Sequence, residues 1–494
     1  MLSRDDLYNL IFSMLKSEKR YFVLDAKKSG HPGSRYLDLF DAMNRMGQYD
    51  DQVLRKKFPK NLSSGKAYLY EAILRSMRDY RSPASKAAQV KEHLMDARYL
   101  YERGLYQQST QRIADAKAIA TELEDQFTLL EINKEEQVSL FDRKASVKLE
   151  HIEKLNEERE QTQHAIIEEL RYLDLYYRLL LEVFQDFNPK DANAMKTLKK
   201  RLPLELLIEE NRPSAPQAIR RYYLCNAVYY NLLGDLDKVY DYSLKAVKWW
   251  DSYPALKDED FHRYIINVSN LLNTMYNSEK HAALTQQWLD KLKQEKSGKS
   301  YHNQKIIFLK LSISNLLHLL NRNEFEKAQK KLPEIIAGLN RFGLRKSMVL
   351  TGNIVTVYFL VHDYTNCLFW ANHIIKNLKA AGREDIQRIV RLYAIIANFE
   401  NGDIDRTEAA MKAANRYFKS VGLPKTAFEN VALNTYLKRI ISAPVNEVKR
   451  AFEDFEIFLH QAKPEREAKT PLGLAELLIW VENHKNPVTQ STGK

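Results

Sequence analysis

Twelve histidines, two cysteines and 76 lysine and arginine side chains are the groups with the most chemistry to offer in this 494-residue chain. Their spacing points away from catalysis. A phosphate-cradling Gly-x-x-x-x-Gly-Lys loop is not formed, because Gly65-Lys66 has Lys60 where the first glycine would stand. The sequence has no His-Glu-x-x-His pair, no strand-borne Gly-x-Ser-x-Gly elbow and no dinucleotide-binding glycine set. The histidines are dispersed, so only folding could gather a site; His362 suits a turn and His373 a helix face. Cys225 and Cys367 are too few for a disulfide framework or a multi-cysteine metal site, and their rarity fits a reducing compartment. The expectation is a non-enzyme with no cofactor and no metal.

The basic side chains need a second reading. Net charge is 76 − 64 = +12, which raises the encounter rate with acidic partners. Residues 1–85 hold a basic set, Lys16, Lys19, Arg20, Arg55, Lys56, Lys57 and Lys60. Helices at about Tyr36–Met46 and Asp50–Phe58, joined by Gly47-Gln48-Tyr49, have helix-turn-helix proportions. The second helix would open on Asp50-Asp51, however, and two carboxylates at that end repel phosphates. Its basic cluster lies at the C-terminal end, where positive charge complements the helix dipole. Contact of this module with nucleic acid, beside a repeat sensor domain, is therefore the alternative reading, and a capping or docking role the main one.

Glycine (15) and proline (14) are scarce, which favours long helices joined by short turns. Gly104, Gly234, Asn277, Asn323, His362 and Gly402 each stand between two apolar helix-like stretches. The last five lie 43, 46, 39 and 40 residues apart (277 − 234, 323 − 277, 362 − 323, 402 − 362). Asp235, Asp363 and Asp403 follow three of them, ready to cap the next helix. Five residues beyond the turns stand Ser109, Val239, Ala282, Ala328, Cys367 and Thr407, slim enough for two helix axes to approach closely. Seven before come Ala97, Ala227, Asn270, Leu316, Val355 and Ile395; twelve after come Ala116, Ala246, Leu289, Ile335, Ile374 and Ala414. Trp249, Trp250, Trp288 and Trp370 read as core between repeats.

This register resembles the tetratricopeptide (TPR) repeat. Asn226 to Ala246 carries the helix, Gly-Asp turn, helix pattern, with Tyr230, Gly234 and Ala246 in matching places, and Ala97 to Ala116 matches comparably. The middle repeats depart from the family, with Asn or His at the turn and a period nearer 40 than 34. The resemblance covers roughly residues 90–130 and 215–460. It implies an all-α, TPR-like α-solenoid: antiparallel helix pairs in a right-handed superhelix with a concave face. It further implies a protein or peptide partner, and inward positions that include Arg98, Tyr101, Arg221, Asn267 and Lys310. The Lys and Asn clamp by which some TPR domains hold a carboxylate is not reproduced, so an acidic or amphipathic segment suits the groove better. Ser17 to Phe22 is similar to the opening of uncharacterised bacterial repeat proteins.

The expected organisation is a basic helical module at 1–85, a first repeat at 90–131, long charged helices or an arm at 132–187, and a repeat array at 188–464. A capping helix at 465–484 and a disordered tail at 485–494 follow. Leu7, Leu10, Ile11 and Met14 keep one helical stripe, with Ser3 and Asp6 as a capping pair. The longest clear apolar run, Ile354 to Val361, is far short of the roughly 20 residues that span a bilayer. The chain opens on acids rather than a signal region, so a cytoplasmic protein is expected, with no membrane partner.

Overall fold

The computed structural model describes residues 5–28, 35–141, 148–184, 192–276, 281, 283–295, 300–378, 383–462 and 472–485. Among them all regular structure is helical and no strand occurs. The turn residue Asn277, its partner Ala282, the capping residue Ser3 and the tail beyond 485 lie outside the described residues.

The N-terminal module comprises α1 (Asp6–Ser13), α2 (Lys16–Lys28), α3 (Arg35–Asn44), α4 (Asp51–Lys57) and α5 (Leu62–Arg81). Leu7, Ile11 and Met14 from the expected stripe are buried with Phe22, Phe40, Leu54 and Ile73, and Leu10 packs on them partly buried. The module thus has a core of its own. A 3-10 turn, Ser82–Ala84, joins α5 to the array.

The array opens with α6 (Lys86–Glu102), α7 (Tyr106–Glu122), α8 (Gln126–Phe141), α9 (Leu149–Phe184) and α10 (Ala192–Arg201). Next come α11 (Pro216–Leu233), α12 (Leu236–Lys248), α13 (Pro254–Glu259), α14 (Phe261–Tyr276) and α15 (Thr285–Gln294). It continues through α16 (Tyr301–Asn321), α17 (Phe325–Arg341), α18 (Met348–Leu360), α19 (Tyr364–Asn377), α20 (Glu384–Glu400) and α21 (Ile404–Ser420). The last elements are α22 (Phe428–Val431), a π-helical stretch Ala432–Leu437, α23 (Lys438–Ser442), α24 (Val448–Gln461) and α25 (Leu474–Lys485).

Turn chemistry sets this order. Gly104, Gly234, Asn323, His362 and Gly402 all have φ between 55° and 77°, the left-handed conformation that glycine accepts freely and that Asn and His tolerate. The amide two positions beyond the helix end then reaches back, as from Asp235 to the Tyr230 carbonyl (3.1 Å) and from Asp403 to that of Asn398 (3.1 Å). Asp235, Asp363 and Asp403 each accept the backbone N–H three residues on, at 3.1, 3.1 and 3.0 Å, and so start the next helix. The slim residues do what their size suggests. Ser109, Val239, Ala328, Cys367 and Thr407 are all buried where the two helices meet, and Ser109 Oγ donates to the Ala97 carbonyl at 2.8 Å.

A second set of left-handed residues was not read from the sequence. Glu124, Gly343 and Gly422 (φ 51°, 61° and 66°) end the second helices, each 20 residues after a first-set turn (124 − 104, 343 − 323, 422 − 402). These positions turn the chain from one pair into the next.

Packing runs between neighbours along the chain: α6 on α7, α7 on α8, α11 on α12, α12 on α14, α14 on α16, α16 on α18, α18 on α20. The long α9 packs on α8 and then on α11; Asn133 of α8 donates to the Leu155 carbonyl and Tyr172 of α9 to that of Leu206. Residues 249–259 fold into a 3-10 turn and α13, and Glu259 there receives Ser85 Oγ (2.5 Å) and the Lys86 N–H (3.1 Å) at the start of α6.

Candidate ligand groove

The first helices of the array differ in how far round they are buried. α6 buries Val90 and Ala97 and leaves Met95, Arg98 and Tyr99 exposed. α18 and α20 differ. α18 buries Leu350, Ile354, Val355, Val357, Phe359 and Leu360, and α20 buries residues on nearly every turn and side from Ile386 to Asn398. A helix apolar all round must be covered all round. What covers the remaining side is the chain's own α25, which packs on α24 and reaches back across more than 100 residues of sequence to α18.

Three helices therefore wall a groove with a fourth lying in it. Leu474, Leu477, Trp480 and Val481 of α25 are 0–2% exposed, while Ala475, Glu482, Asn483 and His484 face solvent. Burying those four apolar side chains contributes about 1.5–3 kcal/mol each.

Polar contacts fix the register of the seat. Trp480 Nε1 donates to Glu400 Oε1 of α20 at 2.8 Å, and His484 Nε2 lies 3.0 Å from the same oxygen. The Asn483 amide is 3.3 Å from Nε2 of His362, the turn residue after α18. The Tyr393 ring of α20 stacks on Phe359 of α18 at 4.3 Å. His484 stacks on Phe452 of α24 at 4.7 Å. At the start of α25, Gly473 has φ +84°, and a Cβ there would fall 2.1 Å from Ile389 Cδ1. Only glycine lets the backbone come that close in that conformation.

Electrostatics gives the contact a pH signature. Hydrogen bonding and charge from Glu400 raise His484 above its ordinary 6.5, against the opposing effect of burial. Burial alone would raise Glu400, but His484 and Trp480 outweigh it and hold the carboxyl below its ordinary 4.5. The histidine contribution is complete below 6.5 and is lost as pH rises through the raised value; the glutamate contribution is present above 4.5 and is lost as pH falls through the lowered one. The His484–Glu400 pair favours docking of α25 from about pH 4.5 to about 6.5. Glu476 of α25, raised above its ordinary 4.5 by burial, opposes docking as pH rises, so the helix is expected to loosen toward and above neutrality. Histidine-detected NMR checks this: His484 should titrate above 6.5, and Glu400→Gln should bring it back to that value or below.

The residues picked out from sequence are spread along four first helices. Arg98 is exposed, 3.6 Å from Glu102, and Tyr101 meets Tyr106 edge-on at 5.3 Å. Arg221 is occupied: its Nη2 lies 2.8 Å from Glu169 Oε1, with both side chains 14% exposed. Asn267 is buried and accepts the Trp250 Nε1–H at 2.9 Å. Both are internal and not open to a partner, because neighbouring helices supply an ion partner to one and an indole donor to the other. Lys310 is half-buried on α16, and burial lowers its pKa.

In the N-terminal module, Lys16, Arg20, Lys56 and Lys57 are exposed, Lys19 donates to Asn44 Oδ1 (2.7 Å), and Arg55 pairs with Asp51 (2.6 Å). Asp50 caps α4 by accepting from the amides of Gln52 and Val53. Lys66, Tyr49 and Arg55 hold the Asp51 carboxyl well below the usual carboxylate range. Lys60 lines a shallow cleft with Tyr36, Phe58, Asn61 and Tyr68. Burial pushes the Cys367 thiol up to about 12 and raises Cys225 further, so neither is a ready nucleophile. Among the described residues no group of three or more His, Cys, Asp or Glu is placed to hold a metal ion, and no helix is long and apolar enough to cross a membrane.

No family model, no curated protein and no solved structure matches this chain.

Proposed function

We propose that the chain is a non-catalytic, cytoplasmic adaptor: a TPR-like α-solenoid, a right-handed superhelix whose first helices present a concave face to a protein segment. The observation that carries this reading is α25 lying on α18 and α20. That face already holds a helix, through an apolar edge and a set of directed hydrogen bonds. Helix-in-groove recognition uses the same physics, an apolar stripe for affinity and flanking polar groups for register. Arg98 and Tyr101 on α6 belong to the same register at the other end of the array, where Met95 and Tyr99 are 65% and 58% exposed.

Affinity capture with the tagged full chain tests it, using nuclease-treated lysate and the Arg98→Glu/Tyr101→Ala variant in parallel. The expected result is a discrete set of proteins that survives nuclease and is depleted with the variant. Equal capture by the variant would overturn the role of the first-helix face. Loss of every partner after nuclease would favour nucleic-acid contact through residues 1–85, and that binding would be steeply salt-dependent.

A further inference from the structure

We infer that the groove between α18, α20 and α24 is an exchangeable helix-binding site, in which α25 is the intramolecular competitor of a partner helix of the same chemistry. The inference rests on the adaptor reading and names the partner class for one part of its face. That class is a short amphipathic helix with Leu, Leu, Trp and Val at the spacing of Leu474, Leu477, Trp480 and Val481, and with hydrogen-bond donors toward its C-terminal end.

Three observations support exchange over a permanent cap. First, the seat recognises α25 by specific groups. Glu400 takes both the indole N–H of Trp480 and the imidazole of His484. A carboxylate facing Glu400 would be repelled, so the groove selects donors at that end. Second, α25 lies on the outside. Ala475, Glu482, Asn483 and His484 are exposed, so the helix can leave without any layer above it moving. Third, α18 and α20, two of the three walls, hold together without it. α18 packs on α16, α19 and α20, and α20 on α19 and α21, all along the chain's own order. Removing α25 uncovers an apolar trough but breaks none of those pairs. The trough cannot stay empty in water, and α25 is its occupant until a better one arrives.

The test uses full-length chains and a fluorescein-labelled peptide with the sequence of residues 472–485. Leu477→Ala/Trp480→Ala cripples the resident helix and leaves the walls intact. By anisotropy, the crippled chain should bind the peptide at least about tenfold more tightly than the unaltered chain, because its competitor is weakened. Adding Glu400→Ala to the crippled chain should remove the gain, and a peptide carrying Trp480→Ala should bind neither chain. Equal binding of the peptide to the unaltered and crippled chains, including no binding to either, overturns the inference. If the crippled chain does not melt cooperatively, the unaltered chain decides: saturating peptide must speed hydrogen exchange in its own α25, and unchanged exchange is the contrary result. Failure here leaves the adaptor reading to the Arg98→Glu/Tyr101→Ala capture, which reports on α6 and does not involve this groove.

Discussion

Trp480→Ala is expected to release α25 while the rest of the array stays folded. The indole is 2% exposed, packs on Phe452 with ring centroids 5.2 Å apart, and gives its N–H to Glu400. Truncating a buried tryptophan costs about 3–5 kcal/mol, and Glu400 loses a buried partner in addition. That loss shifts the equilibrium of α25 toward the released side. Limited proteolysis reads it directly, since cleavage of an opened segment follows the population of the open form. Cutting within residues 472–485 should rise roughly a hundredfold or more, with 86–276 cut no faster. Gly473→Ala should act in the same direction, through the strained φ and the approach to Ile389.

Glu169→Ala is the second large effect, and it is global. Arg221 and Glu169 face each other across the α9–α11 contact, and Arg220 lies next door, 3% exposed, its Nε without a hydrogen-bond partner in the structure. The Arg220 guanidinium sits 5.0–5.4 Å from the Trp249 and Trp250 ring centres, and burial brings its pKa down to about 10. Removing Glu169 strands Arg221 beside a second buried guanidinium. Breaking a buried pair on one side costs about 3–5 kcal/mol, whereas replacing both partners by apolar groups costs far less. The midpoint of chemical denaturation should therefore drop sharply for Glu169→Ala and largely recover in Glu169→Leu/Arg221→Met. A small effect of Glu169→Ala on stability would instead return Arg221 to the pool of partner-binding residues.

How much of this was legible in the residues follows from what each signal depends on. A turn that demands φ > 0 restricts residue type locally, so Gly104, Gly234, Asn323, His362 and Gly402 could be found, and all five adopt that conformation. Close helix approach restricts size, so Ser109, Ala328, Cys367 and Thr407 could be found as well. Glu124 was missed because glutamate carries no turn signature; Gly343-Leu344 and Gly422-Leu423 did carry one. Arg221 and Asn267 were placed on the inner face by register alone. What their side chains bond to depends on α9 and on Trp250, which register does not report. The closing helix was visible as an apolar stretch, but its destination was not. The clue lay elsewhere, in the apolar run Ile354 to Val361. A helix with no polar side needs cover all round, and the side its sequence neighbours leave open must be covered by a distant segment.

Hydrogen exchange on the unaltered full chain near neutral pH tests the central claim most directly, that the α18–α20 face is built to hold a helix. The expected result is protection of residues 474–485 that is clear but lower than that of α18 and α20, and that disappears in Trp480→Ala together with part of the protection along α20. Exchange of residues 474–485 in the unaltered chain as fast as that of an unstructured peptide, with α18 and α20 unaffected by Trp480→Ala, would contradict it.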